Sequence, residues 1–361
     1  MSEYYLGVMS GTSLDAIDVV LCDINNTTCK LISSQEFKFD KKLKSEILHT
    51  LSNKTTLKEV GILDHKLGKL FANSVNSFIK IKKIDPKNIR AIGLHGQTLW
   101  HEPSGKYPFS MQLGDANIVN VETGISVVAD FRRKDVALGG QGAPFTPAYH
   151  KFLFSTLGKK AVILNIGGMA NITILGDKLT GYDTGCGNVL MDLWASEHLH
   201  KPYDKNGVWA KKGEVNEVLL QEMLKEPYFS KKLPKSTGRE LFNKEWLLKH
   251  LCKFPILKPE DVQATLLELT TISIKNEILK TDAQMVVVCG GGTQNKCLLK
   301  RLQEELEGIE VVVSDELGIK SDFLEAMAFA WLAYKRLHKE VVELSSVTGA
   351  SKDAILGALY E

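Results

Sequence analysis

A two-domain α/β protein is what this sequence predicts, and three observations carry the prediction. The chain has 361 residues, more than one hydrophobic core usually fills. Strand-like and helix-like patterns alternate along it, without low-complexity segments or long charged tails. A strand, a glycine-rich turn and a second strand occur near the start of each half, so the architecture repeats although the two copies share little sequence.

In chain order, Tyr5 to Met9 and Ile17 to Ile24 are apolar runs flanking Ser10-Gly11-Thr12-Ser13, and Leu31 to Phe39 follows; together they predict an antiparallel meander. Val60, Leu63, Leu67, Leu70, Phe71 and Phe78 recur at three- and four-residue spacing and predict a helix. Three strands are expected at Ile89 to Leu94, Phe109 to Leu113 and Ile125 to Ala129, each ending in polar residues as a ligand crevice in an α/β sheet requires. The glycine-rich run from Gly139 to Pro144 lies near the expected domain change. Strands at Ala161 to Ile166 and Ile172 to Leu175 flank the turn Gly167 to Asn171, and Asp183 is expected at a strand end before a helix at Val189 to His198. The lysine-rich stretch from Lys201 to Lys244 reads as an insertion of helices and loops. A helix at Asp261 to Leu279, strands at Met285 to Cys289 and Val311 to Val313, and an alanine-rich helix at Asp322 to Leu337 complete the reading. The expected domains are 1–130, with 345–361 packing back on it, and 131–344, carrying a helical insertion around 201–245.

Composition narrows the function classes. With 45 basic and 43 acidic residues the formal net charge is +2, which argues against clamping nucleic acid by bulk charge. The longest apolar runs are too short to span a bilayer, and Met1 to Leu6 shows no secretory pattern, so a cytoplasmic protein without a membrane partner is expected. Six scattered cysteines without a CxxC pair fit reduced thiols, and nine histidines without HExxH spacing give no zinc site.

The residues that carry chemistry are glycines and carboxylates. Gly11, Thr12 and Ser13 in the first turn, and Gly167, Gly168 and Asn171 in the second, offer backbone N–H groups and polar side chains to a polyphosphate. Either turn alone reads equally as a hairpin closure; the two together with Gly290-Gly291-Gly292, which ends a buried strand where a nucleoside could lie against backbone, favour nucleotide binding. GxxxxGK[ST], GxGxxG after a strand and the protein-kinase signatures are all absent. Asp15, Asp18, Asp115, Asp130 and Asp183 are candidate acids or bases. Asp183 leads, since glycines beside it leave room for substrate, although a turn or helix-capping role fits its position too. His95 and Gln97 at a strand end are candidates for sugar hydroxyls, and Arg132-Arg133-Lys134 reads either as an anion site or as a solvated loop.

These residues carry a resemblance that runs in order along nearly the whole chain. Gly7-Val8-Met9-Ser10-Gly11-Thr12-Ser13-Leu14-Asp15, His95-Gly96-Gln97-Thr98-Leu99-Trp100-His101, the run from Gly124 to Pro144 with Asp130-Phe131-Arg132-Arg133, and Asn165-Ile166-Gly167-Gly168-Met169-Ala170-Asn171 are similar to blocks of the anhydro-N-acetylmuramic acid kinases. So are Gly181-Tyr182-Asp183-Thr184-Gly185, Lys235-Ser236-Thr237-Gly238-Arg239-Glu240, Asp261 to Leu266, Cys289-Gly290-Gly291-Gly292 and Ser346 to Ala350.

The resemblance implies the two-domain actin-like (ribonuclease H-like) ATPase fold with an interdomain cleft, and a homodimer. It implies ATP and Mg²⁺ as cofactors, with no metal ligand assigned, and hydrolytic phosphorylation of 1,6-anhydro-N-acetylmuramic acid. Asp183 then corresponds to the general base. Gly11, Thr12, Ser13, Leu14, Asp15, Ala16, Ile17, Asp18, Gly167, Gly168, Asn171, Gly290, Gly291 and Gly292 fall to ATP, and His95, Gln97, Asp130 and Arg132 to the sugar. Two positions depart from the family pattern. Ala16 stands where glycine is usual, at roughly 1 kcal/mol if the backbone there needs positive φ, and Cys186 stands where proline is usual, which places a thiol near the site. Alternative readings are a sugar kinase acting on a free hydroxyl, an actin- or chaperone-like ATPase, and a sugar sensor.

Overall fold

The computed structural model describes residues 3–11, 14, 16–51, 55–157, 160–176, 179–233, 235–254 and 256–361, with the backbone alone at 156 and 322. The chain forms two compact units, Met1–Leu153 with Phe323–Glu361, and Phe154–Asp322.

The first unit begins with β1 (Glu3–Ser10), β2 (Ala16–Ile24) and β3 (Cys29–Lys38). The inner two read as near-continuous apolar runs because both their faces are covered, whereas β3 at the sheet edge alternates. Two helices follow, α1 (Lys41–Leu51) and α2 (Leu57–Lys82). A reciprocal cap between Thr56 and Glu59 starts α2, whose Leu63, Leu67, Phe71, Val75 and Phe78 form its buried stripe. Then come β4 (Ile89–Leu94), β5 (Gln97–Glu102), β6 (Phe109–Leu113), α3 (Ala116–Thr123), β7 (Val127–Ala129), α4 (Arg132–Ala137) and α5 (Thr146–Phe154).

The second unit holds β8 (Ala161–Ile166), β9 (Met169–Ile174), β10 (Thr180–Cys186), α6 (Val189–Leu199), α7 (Glu217–Leu224), α8 (Lys244–Leu251), α9 (Pro259–Ile278), β11 (Met285–Cys289), α10 (Lys296–Glu305) and β12 (Glu310–Val313). The chain then returns to the first unit as α11 (Leu324–Leu337), α12 (Ser345–Thr348) and β13 (Ala358–Tyr360).

Both units use one sheet plan. In the first, the strand order is β13-β7-β4-β1-β2-β3; in the second it is β10-β9-β8-β11-β12. Each has three antiparallel strands built by consecutive hairpins, then two more laid parallel on the far side of the first. The parallel pairs β1/β4 and β8/β11 need long crossovers, which contain α2 and α9. This repeated plan is the actin-like architecture expected from the sequence.

Several details differ from expectation. Phe109–Leu113 does not join the main sheet: it pairs with β5 as a separate two-stranded ribbon, since an apolar run signals a strand but not its partner. The lysine-rich stretch of the second unit is no appendage. Its Ala210, Leu219, Leu220, Met223, Tyr228 and Phe242 belong to that unit's core, and the lysines lie between these buried positions. The units divide after Leu153 and after Asp322 rather than at 130 and 344. The return comes earlier than expected because of α11, whose Ala326 and Phe329 carbonyls lie against β1 and β4. A Cβ on Gly7 would fall 1.9 Å from the Ala326 oxygen, and one on Gly93 would fall 1.9 Å from the Phe329 oxygen. Glycine at both places lets helix and sheet backbones touch.

Candidate active site

The second unit assembles its polar residues along one cross-strand row. Asp183 on β10 faces Asn171 on β9, Asn171 faces Asn165 on β8, and Asn165 faces Cys289 on β11. Neighbouring strands lie about 4.8 Å apart, and directly opposed residues share a face. Their chain neighbours Leu164, Ile166, Ala170, Ile172 and Tyr182 belong to the core on the other face. Asp183, Asn171 and Asn165 therefore share the face turned away from that core.

Asp183 is not at a strand end, as the sequence reading had it: β10 runs on to Cys186, with a register shift between Asp183 and Gly185. Bulges of this kind re-aim side chains beside functional sites. The Asp183 carboxylate accepts the Thr237 N–H at 2.9 Å. Its backbone carbonyl accepts the Tyr228 hydroxyl at 2.8 Å, and its N–H donates to the Lys235 carbonyl at 3.4 Å. Burial pushes its pKa up to about 6; the Thr237 amide opposes this, Glu240 adds to it, and Lys235 opposes it. A carboxyl so tuned is ionised at neutral pH yet basic enough to take a proton.

At the carboxyl ends of the parallel strands β8 and β11 lie the two glycine segments. The β8–β9 turn is Gly167-Gly168; Asn171 belongs to β9. Its carbonyls cap the start of α6, accepting from Gly187 and Val189 at Gly168 (2.9 and 3.1 Å) and from Asn188 at Gly167 (2.8 Å). In the other segment, Gly290 takes φ 81° and its Cβ would lie 2.4 Å from Asn165 Oδ1, while a Cβ on Gly292 would lie 2.4 Å from Ile166 Cβ. Packing on β8 accounts for these two glycines. A Cβ on Gly291 would meet nothing within 4 Å beyond its chain neighbours, so it is the member of the run with room beside it for a ligand.

In the first unit, Thr12, Ser13 and Asp15 lie outside the described residues. Gly11 accepts the Leu14 N–H at 3.3 Å, and Leu14 is buried at φ 55° in the core beneath the sheet. Ile17 is buried in the same core. The side chains of Leu14 and Ile17 are thus core, leaving only their backbone for a nucleotide. Ala16 sits in extended β2 opposite Lys38, so the expected alanine penalty does not arise there. Asp18, half-buried, lies opposite Met9 and Glu36.

The four sugar candidates fall into three groups. Gln97 accepts the buried Ser10 hydroxyl at 2.5 Å. His95, against Phe329, takes Arg132 Nη2 and Nε on its Nε2 at 2.8 and 3.3 Å. Since an arginine can only donate, His95 is neutral with its proton on Nδ1; burial first, then the Arg132 charge, pushes its pKa down to about 3. Arg132 Nη1 also donates to the Gly142 carbonyl at 2.8 Å, and Gly142 N–H and the Thr348 hydroxyl both bond Asp135 (2.7 and 2.8 Å). Burial lowers the Arg132 pKa to about 10. Asp130, by contrast, points elsewhere, in a two-point ion pair with Arg133 (2.8 and 2.5 Å) on a cavity of about 390 Å³ with Asp64, Asp115 and Tyr360. Arg132 and Arg133 open a short helix rather than a loop.

Cys186 is fully buried in the core and burial pushes its thiol up to about 12, so it brings no reactive sulfur to the site. Sequence reasoning missed Tyr228 and the roles of Lys235, Thr237 and Asp135; for Lys235 and Thr237 the available signal was a family-like block, without a partner to attach it to.

A family model described as anhydro-N-acetylmuramic acid kinase matches residues 3–361. The chain is 58% identical to the anhydro-N-acetylmuramic acid kinase of Sulfurimonas denitrificans, covering all of both chains. It is 57% identical to that of Sulfurovum sp., over 99% of each. To that of Photobacterium profundum it is 49% identical, over 99% of this chain and 98% of the relative. Matched from end to end by the family model and by these relatives, the chain belongs to the anhydro-N-acetylmuramic acid kinase family.

Proposed function

We propose that this enzyme converts 1,6-anhydro-N-acetylmuramic acid, ATP and water to N-acetylmuramic acid 6-phosphate and ADP, in the recycling of cell-wall sugars. The observation that carries the reading is Asp183: a carboxylate fixed by a backbone amide, with its pKa raised to about 6, in a polar row facing away from the core. Asp183 takes a proton from water, whose oxygen forms a bond to C1. The C1–O6 bond breaks, O6 bonds the γ-phosphorus, and the bond from that phosphorus to the β-phosphate oxygen breaks to release ADP. The proton on Asp183 passes to solvent.

In this reading Gly167, Gly168, Asn171, Gly291 and the Gly11–Asp18 segment serve the nucleotide. Arg132 serves the lactyl carboxylate of the sugar: among the described residues its contacts with His95 and Gly142 use three of its five N–H groups, and two remain. His95 and Gln97 hold that corner in shape. Asp130 is a weaker substrate candidate than expected, because Arg133 already occupies its carboxylate.

Magnesium, when bound with the nucleotide, neutralises phosphate charge. Among the described residues no three or more histidine, cysteine or acidic side chains group to hold a metal. Among the described residues no helix is long and apolar enough to cross a membrane. We place the enzyme in the cytoplasm on the sequence pattern given above, and as a homodimer on the strength of the resemblance.

The deciding experiment is product mass after turnover in ¹⁸O-water. One ¹⁸O at C1 of the sugar 6-phosphate is expected. An unlabelled phosphosugar would mean phosphorylation of a free hydroxyl, and ATP consumed without sugar would mean an ATPase. Separately, Arg132→Met is expected to raise KM for the sugar on the order of 10- to 100-fold, as loss of a charge-assisted hydrogen bond does, with KM for ATP little changed in steady-state assays.

A further inference from the structure

Behind Asp183 lies a charged network that the chemistry above does not use. Lys235 Nζ is bonded to Glu277 of α9 at 2.7 Å, with side-chain exposures of only 1% and 5%. The ammonium lies over the rings of Tyr228 and Tyr182, 5.2 and 5.8 Å from their centroids. The Tyr182 hydroxyl donates to Glu277 at 3.2 Å, and Lys280 adds a further bond to Glu277 at 2.8 Å. Each route out of this network reaches Asp183: the Lys235 carbonyl takes its N–H, the Tyr228 hydroxyl donates to its carbonyl, and Thr237, two residues after Lys235, donates to its carboxylate.

A buried ion pair is a poor stabiliser, since packed apolar side chains of the same volume do as well or better. What an apolar pair cannot do is place a positive charge behind a carboxylate while anchoring the loop that holds it. We propose that the Lys235–Glu277 pair is a positioning device for the base, locking the 235–237 segment onto α9 so that Asp183 is held at its working place and in its ionised form. The proposal rests on the reading of Asp183 as the base. The charged groups facing Asp183 are Lys235, which favours its ionised form, and Glu240, which opposes it; Glu277 is bonded to Lys235 and Lys280.

The test uses the full-length enzyme with the double substitution Lys235→Met, Glu277→Gln, which leaves no buried charge unpaired. We expect kcat to fall about 100-fold, as misplacement of a catalytic group by an ångström does, with both KM values near wild type. The acid limb of kcat moves to higher pH, and Lys235→Arg recovers most of the loss. Should the double variant fail to fold, Glu277→Gln alone gives the second reading: with the charged tie from Lys235 to α9 removed, the 235–237 segment is loosened and kcat falls with both KM values near wild type. Wild-type kcat and acid limb in the folded variants, or an effect confined to melting temperature, would overturn the proposal. Asp183→Asn is measured in parallel. If it stays active, the base reading fails and the proposal with it; if it is inactive while the pair variants behave as wild type, only the positioning role fails.

Discussion

Asp183→Asn lowers kcat by roughly 10²–10⁴-fold, the usual worth of a general base, and leaves KM for ATP near its wild-type value. The amide keeps the size of the carboxylate and its oxygen can still accept the Thr237 N–H, so the fold is retained and the loss is chemical. The pH profile is the sharper reading. A base must be ionised to act, so wild-type kcat falls as pH drops through about 6, the value to which burial raises Asp183. Glu240 raises that pKa, so Glu240→Gln shifts the acid limb to lower pH while keeping Asp183 in place. Steady-state rates from pH 5 to 8 check both, and an unshifted limb in a folded Glu240→Gln enzyme would show that another group titrates.

Gly93→Val costs about 3 kcal/mol or more. Overpacking usually costs less, because side chains give way. Here the added Cβ meets the Phe329 backbone oxygen at 1.9 Å, so α11 must lift from β4 as a body. Thermal unfolding followed by calorimetry should show the first unit melting ~10 °C lower, while the second unit, whose residues do not touch this contact, keeps its transition. Gly61 supplies the opposite sign. It lies inside α2 with nothing within 4 Å of its would-be Cβ, so Gly61→Ala is expected to stabilise by about 0.5–1 kcal/mol through helix propensity.

Much of the architecture was legible because period and punctuation agree. The apolar runs of β1 and β2 around a glycine turn, the stripe of α2, and the buried run ending at Gly290 each announce their element. α1 was missed, since the lysine-rich segment Lys41–Leu51 buries only Ile47 and Thr50 and so lacks a stripe. Phe109–Leu113 was legible as a strand but not as half of a ribbon, because partner choice depends on residues not in the run. At the site, Asp183 led the five candidate acids because of the glycines beside it, but a turn or capping role fitted its position as well, and the resemblance decided between them. What tunes it comes from Tyr228, Lys235 and Thr237, 45 or more positions along the chain, and from a bulge that depends on β9. Arg132 could not be told from Arg133 by sequence, yet one reaches inward to His95 and Gly142 and its neighbour outward to Asp130.

The backbone contact of α11 with β1 and β4 also orders events during synthesis. The second unit is one continuous segment, 154–322, and every strand of its sheet is translated before α11. The first unit contains the earliest strands but lacks α11 and its edge strand β13 until residues 324–360 leave the ribosome. Domains ordinarily complete from the N-terminus onward. Here the order is reversed: the half that begins last is synthesised in full first, and β1 and β4 wait for the helix that packs against their backbone.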